Sequence, residues 1–194
     1  MSRRITIVQG HPDAQARHFG HALADEYTKG GEDGGHEVKR LEVAKMEFPL
    51  LRTKEEFEQG RPPDSIRLAQ EAIAWADHLV ILYPLWLGDM PALLKAFFEQ
   101  VFRPGFAFTP GERRRFPKKR LTGKSARIVV TMGMPAFVYR WLLLTRSLKS
   151  LDHILRFSGI GPINSTVIGT IEGMTDKQRA GWLDRLRALG EQGK

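Results

Sequence analysis

The most constraining stretch of the chain runs from His78 to Phe108 and reads HLVILYPLWLGDMPALLKAFFEQVFRPGFAF. Leu79, Val80, Ile81 and Leu82 form an unbroken apolar run, far too short to span a membrane and suited to a strand covered on both faces. A loop follows, Tyr83-Pro84-Leu85-Trp86-Leu87-Gly88-Asp89, rich in residues that fix backbone shape and present apolar surface. From Pro91 the spacing turns helical: Leu93, Phe97 and Val101 form one stripe, with Leu94, Phe98 and Phe102 beside it. Pro91 suits a first helical turn, where its missing N–H is no loss, and Asp89 stands where a cap is expected. A buried strand, an aromatic loop and an abrupt helix start describe a crevice at the carboxyl end of a parallel strand, where open α/β sheets bind ligands.

The rest of the chain repeats that alternation. Arg4 to Gln9 is a strand candidate ending at Gly10-His11-Pro12-Asp13. Phe19, Ala22, Leu23 and Tyr27 then recur at helical spacing until Gly30-Gly31 and Gly34-Gly35, which read as a stop. Glu37 to Val43 gives a second, charged strand of the kind found at a sheet edge. Ala44 to Pro63 is irregular, broken by Phe48-Pro49 and Pro62-Pro63, and a span that long usually serves as a lid or an interface arm. A helix capped by Asp64 runs to Ala76. Beyond the central stretch, Gly105 to Thr122 is another long connection, Ala126 to Thr131 a fourth strand and Tyr139 to Phe157 a long helix. Ser165 to Ile171 supplies a fifth strand and Thr175 to Leu189 a last amphipathic helix. Five strands alternating with helices specify one α/β domain over residues 1–194 with a doubly wound parallel sheet, because each parallel pair needs a crossover.

Composition narrows the chemistry. With no cysteine, the chain has no disulfide, no thiolate metal site and no thiol nucleophile, so any redox role needs a bound cofactor. No signal-peptide core and no run near the roughly 20 apolar residues of a spanning helix is seen, which points to a cytoplasmic protein. The formal charge of +8 favours anionic partners. Much of it sits in Arg113, Arg114, Arg115, Lys118, Lys119 and Arg120, which read as a solvated loop, as an attractor for a phosphate-bearing nucleotide, or as a partner-docking patch. No histidine pair has metal-ligand spacing, and no serine sits in a Gly-x-Ser-x-Gly elbow. Nucleic acid is not an expected partner, since the basic cluster lacks aromatic interleaving and no binding motif accompanies it.

The segment Pro84-Leu85-Trp86-Leu87-Gly88-Asp89-Met90-Pro91, with Ala92-Leu93-Leu94-Lys95 and Phe102-Arg103-Pro104-Gly105-Phe106-Ala107-Phe108, resembles the flavodoxin-like NAD(P)H:quinone oxidoreductase family. The resemblance implies a flavodoxin-like five-stranded sheet in the order 2-1-3-4-5, whose loops after strands one, three and four share one crevice. It also implies a flavin cofactor, FAD or FMN, with NAD(P)H as electron donor. Pro84, Leu85, Trp86 and Leu87 are placed by it against the flavin ring, Trp86 one position earlier than the family's tryptophan. The Gly10-His11-Pro12 opening is similar to the family's first loop, which assigns His11, Arg17, His18 and Phe19 to the flavin phosphate, and a helix start is suited to an anion. Thr131, Met132, Gly133 and Met134 resemble the family's Thr-Thr-Gly-Gly at the flavin pyrimidine edge, where donors matter because hydride arriving at N5 pushes negative charge towards N1 and O2. Tyr139 matches the tyrosine lining the hydride-transfer site and is the catalytic candidate, while Thr145 stands where relatives carry a histidine. Trp86, Phe106, Phe108 and Tyr139 are the candidate apolar walls for a flat substrate.

The activity implied is two-electron reduction of a quinone or similar aromatic acceptor by NAD(P)H in ping-pong order, in a homodimer whose cleft the second subunit completes. The same family includes ancillary subunits of potassium-efflux systems, so a flavin-binding regulatory protein docked on a membrane partner is the alternative. FMN against FAD, NADH against NADPH, and quinone against nitro or azo acceptors stay open at this point.

Overall fold

The computed structural model describes residues 1–111, 117–141 and 146–194. Arg113, Arg114, Arg115 and Thr145 lie outside the described residues. The chain runs β1 (Arg4–Gln9), α1 (Phe19–Asp33), β2 (Glu37–Glu42), α2 (Lys54–Gln59), α3 (Asp64–Trp75), β3 (His78–Pro84) and α4 (Ala92–Val101). It continues through β4 (Phe108–Thr109), β5 (Lys118–Lys119), β6 (Ser125–Thr131), α5 (Ala136–Trp141), α6 (Arg146–Ser158), β7 (Ile163–Ile168) and α7 (Asp176–Glu191). The main sheet has the order β2-β1-β3-β6-β7 with every pair parallel, which is 2-1-3-4-5 when only its own strands are counted. Within the second long connection, β4 and β5 form a small antiparallel ribbon that the sequence pattern does not announce.

β3 sits in the middle because its residues from Leu79 to Pro84 are apolar enough to be covered on both sides, and all seven of its residues are buried. Its period-two alternation splits the core. Leu79, Ile81 and Tyr83 pack with α3, α4 and α6, whereas Val80 and Leu82 pack with α1 and α7. Each such side chain, fully buried, contributes about 1.5–3 kcal/mol, enough to fix this strand as the one the others flank.

Three boundaries differ from the sequence pattern. Gly30-Gly31 does not stop α1, which continues to Asp33, because these glycines serve a contact between helices. A Cβ on Gly30 would lie 2.0 Å from the Arg187 carbonyl oxygen, one on Gly34 2.4 Å from that of Glu191, and one on Gly190 2.3 Å from that of Tyr27. Asp64 is the first residue inside α3, with Pro63 at the cap, so its carboxylate pairs with Arg67 at 3.4 Å instead of capping. β7 starts and ends earlier than the apolar run suggests: beyond Ile168 the chain turns at Gly169, where a side chain would sit 2.4 Å from Ala136 N.

Candidate functional site

The loops after β1, β3 and β6 meet at the carboxyl end of the sheet, as the strand order requires. Gly10 N–H donates to Leu82 O at 2.7 Å, and Leu85 N–H donates to Thr131 O at 2.8 Å, so β3's exit is tied to both neighbours. The His11 ring stands edge-on to Trp86, centroids 6.1 Å apart, which brings the first and second loops into contact. Gly10 makes this approach possible, since a Cβ there would lie 2.6 Å from a Leu94 methyl of α4.

The first loop is organised by its own polar side chains. Gln9 Nε2 donates to Gly20 O at 2.9 Å while its Oε1 accepts His11 N–H at 3.1 Å, stapling the strand end to the helix start. His11 stacks on His18 with centroids 3.9 Å apart and lies 5.2 Å from His21. Burial, and then the neighbouring His18 and His21, push the His11 pKa down to about 4. At neutral pH it is therefore uncharged, and its Nδ1 accepts Asp13 N–H at 3.1 Å. The Asp13 carboxylate meets His18 Nε2 at 2.9 Å and accepts Gln15 N–H at 2.8 Å and Ala16 N–H at 3.2 Å. That hydrogen bond from His18, then those two N–H groups, hold the Asp13 pKa down to about 2. Two donors that a helix-start loop would offer an incoming anion are thus already occupied by the protein's own carboxylate.

The second loop does the opposite. Trp86 and Asp89 exchange N–H···O bonds of 2.9 and 3.0 Å around a two-residue turn with φ of 50° at Leu87 and 84° at Gly88. Both central residues are left-handed, the geometry of a tight hairpin turn that glycine and asparagine favour, so Leu87 is strained there. Among the described residues, Leu87 N–H and Gly88 N–H make no hydrogen bond. The turn carries Trp86, half exposed, and Leu87, fully exposed. Asp89 does not cap α4: its carboxylate accepts Met90 N–H at 2.7 Å, and the cap position falls to Pro91, whose carbonyl takes Lys95 N–H at 3.1 Å. A proline at the cap has no side-chain acceptor, so Asp89 shapes the turn instead.

In the third loop, Thr131 and Met132 are buried, and the Thr131 carbonyl is taken by Leu85 N–H. Met132 N–H donates to Ile168 O at 2.9 Å, and Thr170 N–H and Ile171 N–H return bonds to Met134 O and Met132 O at 3.0 and 3.2 Å. Gly133 is exposed, and the Glu172 carboxylate lies 3.2 Å from where its Cβ would be.

Packing bears on two of the sequence assignments. Tyr139 is fully buried, and its hydroxyl accepts Leu148 N–H at 3.3 Å, so it braces α5 against α6 and does not line the crevice. Among the described residues, α5 presents Phe137 to solvent, 71% exposed and two residues beyond the third loop. Phe106 and Phe108 do not join Trp86 within one chain. Phe106 is half-buried on the main core, and Phe108 packs edge-on to Phe157 at 4.9 Å in an apolar cleft with Phe98, Phe102 and Ile154, along the later turns of α4.

Sequence reasoning passed over Asp13, His21 and Arg179. Asp13 and His21 carried a signal in the density of polar residues around His18. Arg179 carried none, because α7 brings it from the far end of the chain. Its guanidinium lies 5.3 Å from the Phe19 ring centroid, and with Arg17, His18 and His21 it lines a cleft of about 570 Å³ beside the start of α1.

A parallel sheet of this order, with three loops tied together at its strand exits, defines a flavodoxin-like α/β protein. The chain belongs to the Flavodoxin_2 family, described by its flavodoxin-like fold, which it matches over residues 3–189. An NAD(P)H oxidoreductase of Haemophilus influenzae, itself uncharacterized, is 25% identical over 183 residues, 92% of this chain and 89% of that protein. The FMN-dependent NADH:quinone oxidoreductase of Alteromonas mediterranea is 31% identical over 155 residues, 73% of this chain and 74% of that protein. Among solved structures, the NAD(P)H:quinone oxidoreductase from Methanothermobacter marburgensis superposes with a TM-score of 0.81 over 100% of both chains at 24% identity, a likeness of fold.

Proposed function

We propose that this chain is a flavin-dependent NAD(P)H oxidoreductase that reduces quinones or similar flat aromatic acceptors, acting as a homodimer. The observation that carries the reading is the Trp86–Asp89 turn, which sets a half-exposed indole and two uncommitted backbone N–H groups at the mouth of the three-loop crevice. The residues present fit a flavin. Unpaired N–H donors beside an apolar ring suit the polar edge and flat face of an isoalloxazine, and Arg17 with Arg179 suits a phosphate. Asp13, by holding Gln15 N–H and Ala16 N–H, leaves that phosphate to the arginines and the remaining donors of the α1 start.

When bound, the flavin supplies the redox chemistry, taking two electrons from the nicotinamide and passing them to the acceptor. The chain's own work is positioning and electrostatics. The Leu87–Gly88 turn presents its donors in a fixed direction, and the exposed Trp86 offers a wall for flat rings. His11, neutral at working pH, keeps positive charge out of the crevice floor.

Purified protein mixed with FMN or FAD and passed through a desalting column should emerge yellow, lose its colour anaerobically with NADH or NADPH, and regain it with a benzoquinone. Colourless eluate, or colour that neither reduced nicotinamide bleaches, would refute the reading. Sedimentation of the loaded protein at one chain's mass would refute the dimer.

A further inference from the structure

The span 46–63, which carries α2, crosses the outer side of α4. It is fastened there by Gln100 Nε2 donating to Pro49 O at 2.7 Å, by Ser65 Oγ donating to Glu47 O at 2.7 Å, and by Arg103 Nη2 donating to Glu56 O. Beneath it lies a cleft of about 320 Å³ lined by Arg52, Glu56, Arg61, Gln100 and Arg103.

Arg103 is the unusual member. It is only 4% exposed, yet its Nε and Nη1 have no hydrogen-bond partner, and among the described residues it forms no ion pair with any carboxylate. A guanidinium stays charged in proteins, and a charge removed from water needs an acceptor on each of its donors. The acid in the lining is committed elsewhere: Glu56 Oε2 accepts Arg52 N–H at 2.7 Å, while Glu56 N–H donates to Thr53 Oγ1 at 3.1 Å, so this residue closes the first turn of α2. Gly60 lets the segment lie this close, since a Cβ there would lie 2.5 Å from Glu56 O and 3.0 Å from Arg103 Nη2. Gln100 adds an unpaired acceptor, its Oε1 being buried without a donor in the same lining. Positive charge prevails, with three arginines against one glutamate.

We propose that this cleft is an oxyanion site distinct from the flavin crevice, in which Arg103 receives the phosphate or carboxylate group of a small molecule and Gln100 accepts a proton-bearing group of the same ligand. Arg52 and Arg61, both exposed, guide the anion to the mouth. Monohydrogen phosphate and a hydroxy acid each combine the two chemistries, whereas chloride lacks the donor and the planar or tetrahedral oxygens.

The test follows the Arg103 Nε–H resonance in the full-length nitrogen-15-labelled protein, assigned by its loss in Arg103→Gln. Inorganic phosphate, glycolate and chloride are titrated at constant ionic strength with FMN in excess, so that a phosphate at the first loop is not counted. A saturable shift with phosphate or glycolate, roughly tenfold weaker with chloride, is expected. The tighter of the two identifies a phosphorylated or a carboxylate ligand. By calorimetry, Arg103→Gln should abolish the binding, and the surface pair Arg52→Ala with Arg61→Ala should weaken it several-fold. A resonance that stays still, one that moves equally with chloride, or unchanged affinity in the double variant would overturn the proposal. Because the reporter belongs to Arg103, the result stands whether or not the protein takes a flavin.

Discussion

The seam between α1 and α7 and the turn between β3 and α4 use glycine for opposite ends. At the seam, Gly30, Gly34 and Gly190 leave no space for one added carbon, and helix backbone rests on helix backbone. At the turn, Gly88 with its φ of 84° lets the chain reverse and leaves neighbouring N–H groups unpaired. One region is closed by contacts already made, the other is open because bonds are still unmade. The difference separates what holds the fold from what can receive a ligand.

The seam should break first. Gly30→Ala forces a methyl to within 2.0 Å of the Arg187 carbonyl oxygen, and its urea unfolding midpoint should report a loss of about 3 kcal/mol. A loss below about 1 kcal/mol would mean that the helices slide apart easily and that the contact matters little. Next in size is the turn. Trp86→Ala should leave the melting temperature nearly unchanged while weakening flavin binding roughly tenfold, about 1.4 kcal/mol, in a fluorescence titration. A large fall in melting temperature would instead make Trp86 a core residue in effect.

A control in the other helix of the seam sharpens the contrast. Gly181 lies in α7 with nothing within 4 Å of its absent Cβ, so Gly181→Ala should stabilise the protein by about 0.5–1 kcal/mol. The same exchange thus carries opposite signs at two positions of the seam's helices. Acid gives the smallest effect near neutrality. Burial lowers the pKa of His11 and of His78 from 6.5 to about 4, so the unfolded chain takes up these protons first as pH falls. Their contribution is complete above pH 6.5 and erodes towards pH 4, amounting for His78 to about 0.5 kcal/mol between pH 7 and 6. His78→Gln should flatten that slope in melting experiments, and an unaltered slope would remove His78 from the account.

The sheet was legible in the sequence because β3's apolar run and the strand–helix alternation leave one economical topology, and strand order then brings the three loops together. Glycine was less legible. Gly30-Gly31 reads as a helix stop until Arg187 and Gly190 are known to lie against it, and that partner is more than a hundred residues away in the chain. The burial of Tyr139 was hidden for a related reason: an aromatic at a helix start can face either way, and only the return of α6 with Leu148 decides. Arg179 and Arg103 were silent because their settings are assembled by elements distant in sequence. Asp13 was visible as a residue, but its capture of the loop's own donors depends on the stacked His11 and His18 rings.

Leu87 holds a left-handed backbone inside a turn closed by the two Trp86–Asp89 bonds. The strain, about 1 kcal/mol for a residue of this kind, is held by those two bonds. A molecule arriving at the turn therefore meets a finished surface, with no segment left to order. Association should be a single fast phase limited by encounter, and the residence time should be set by how well the newcomer answers those two amide hydrogens.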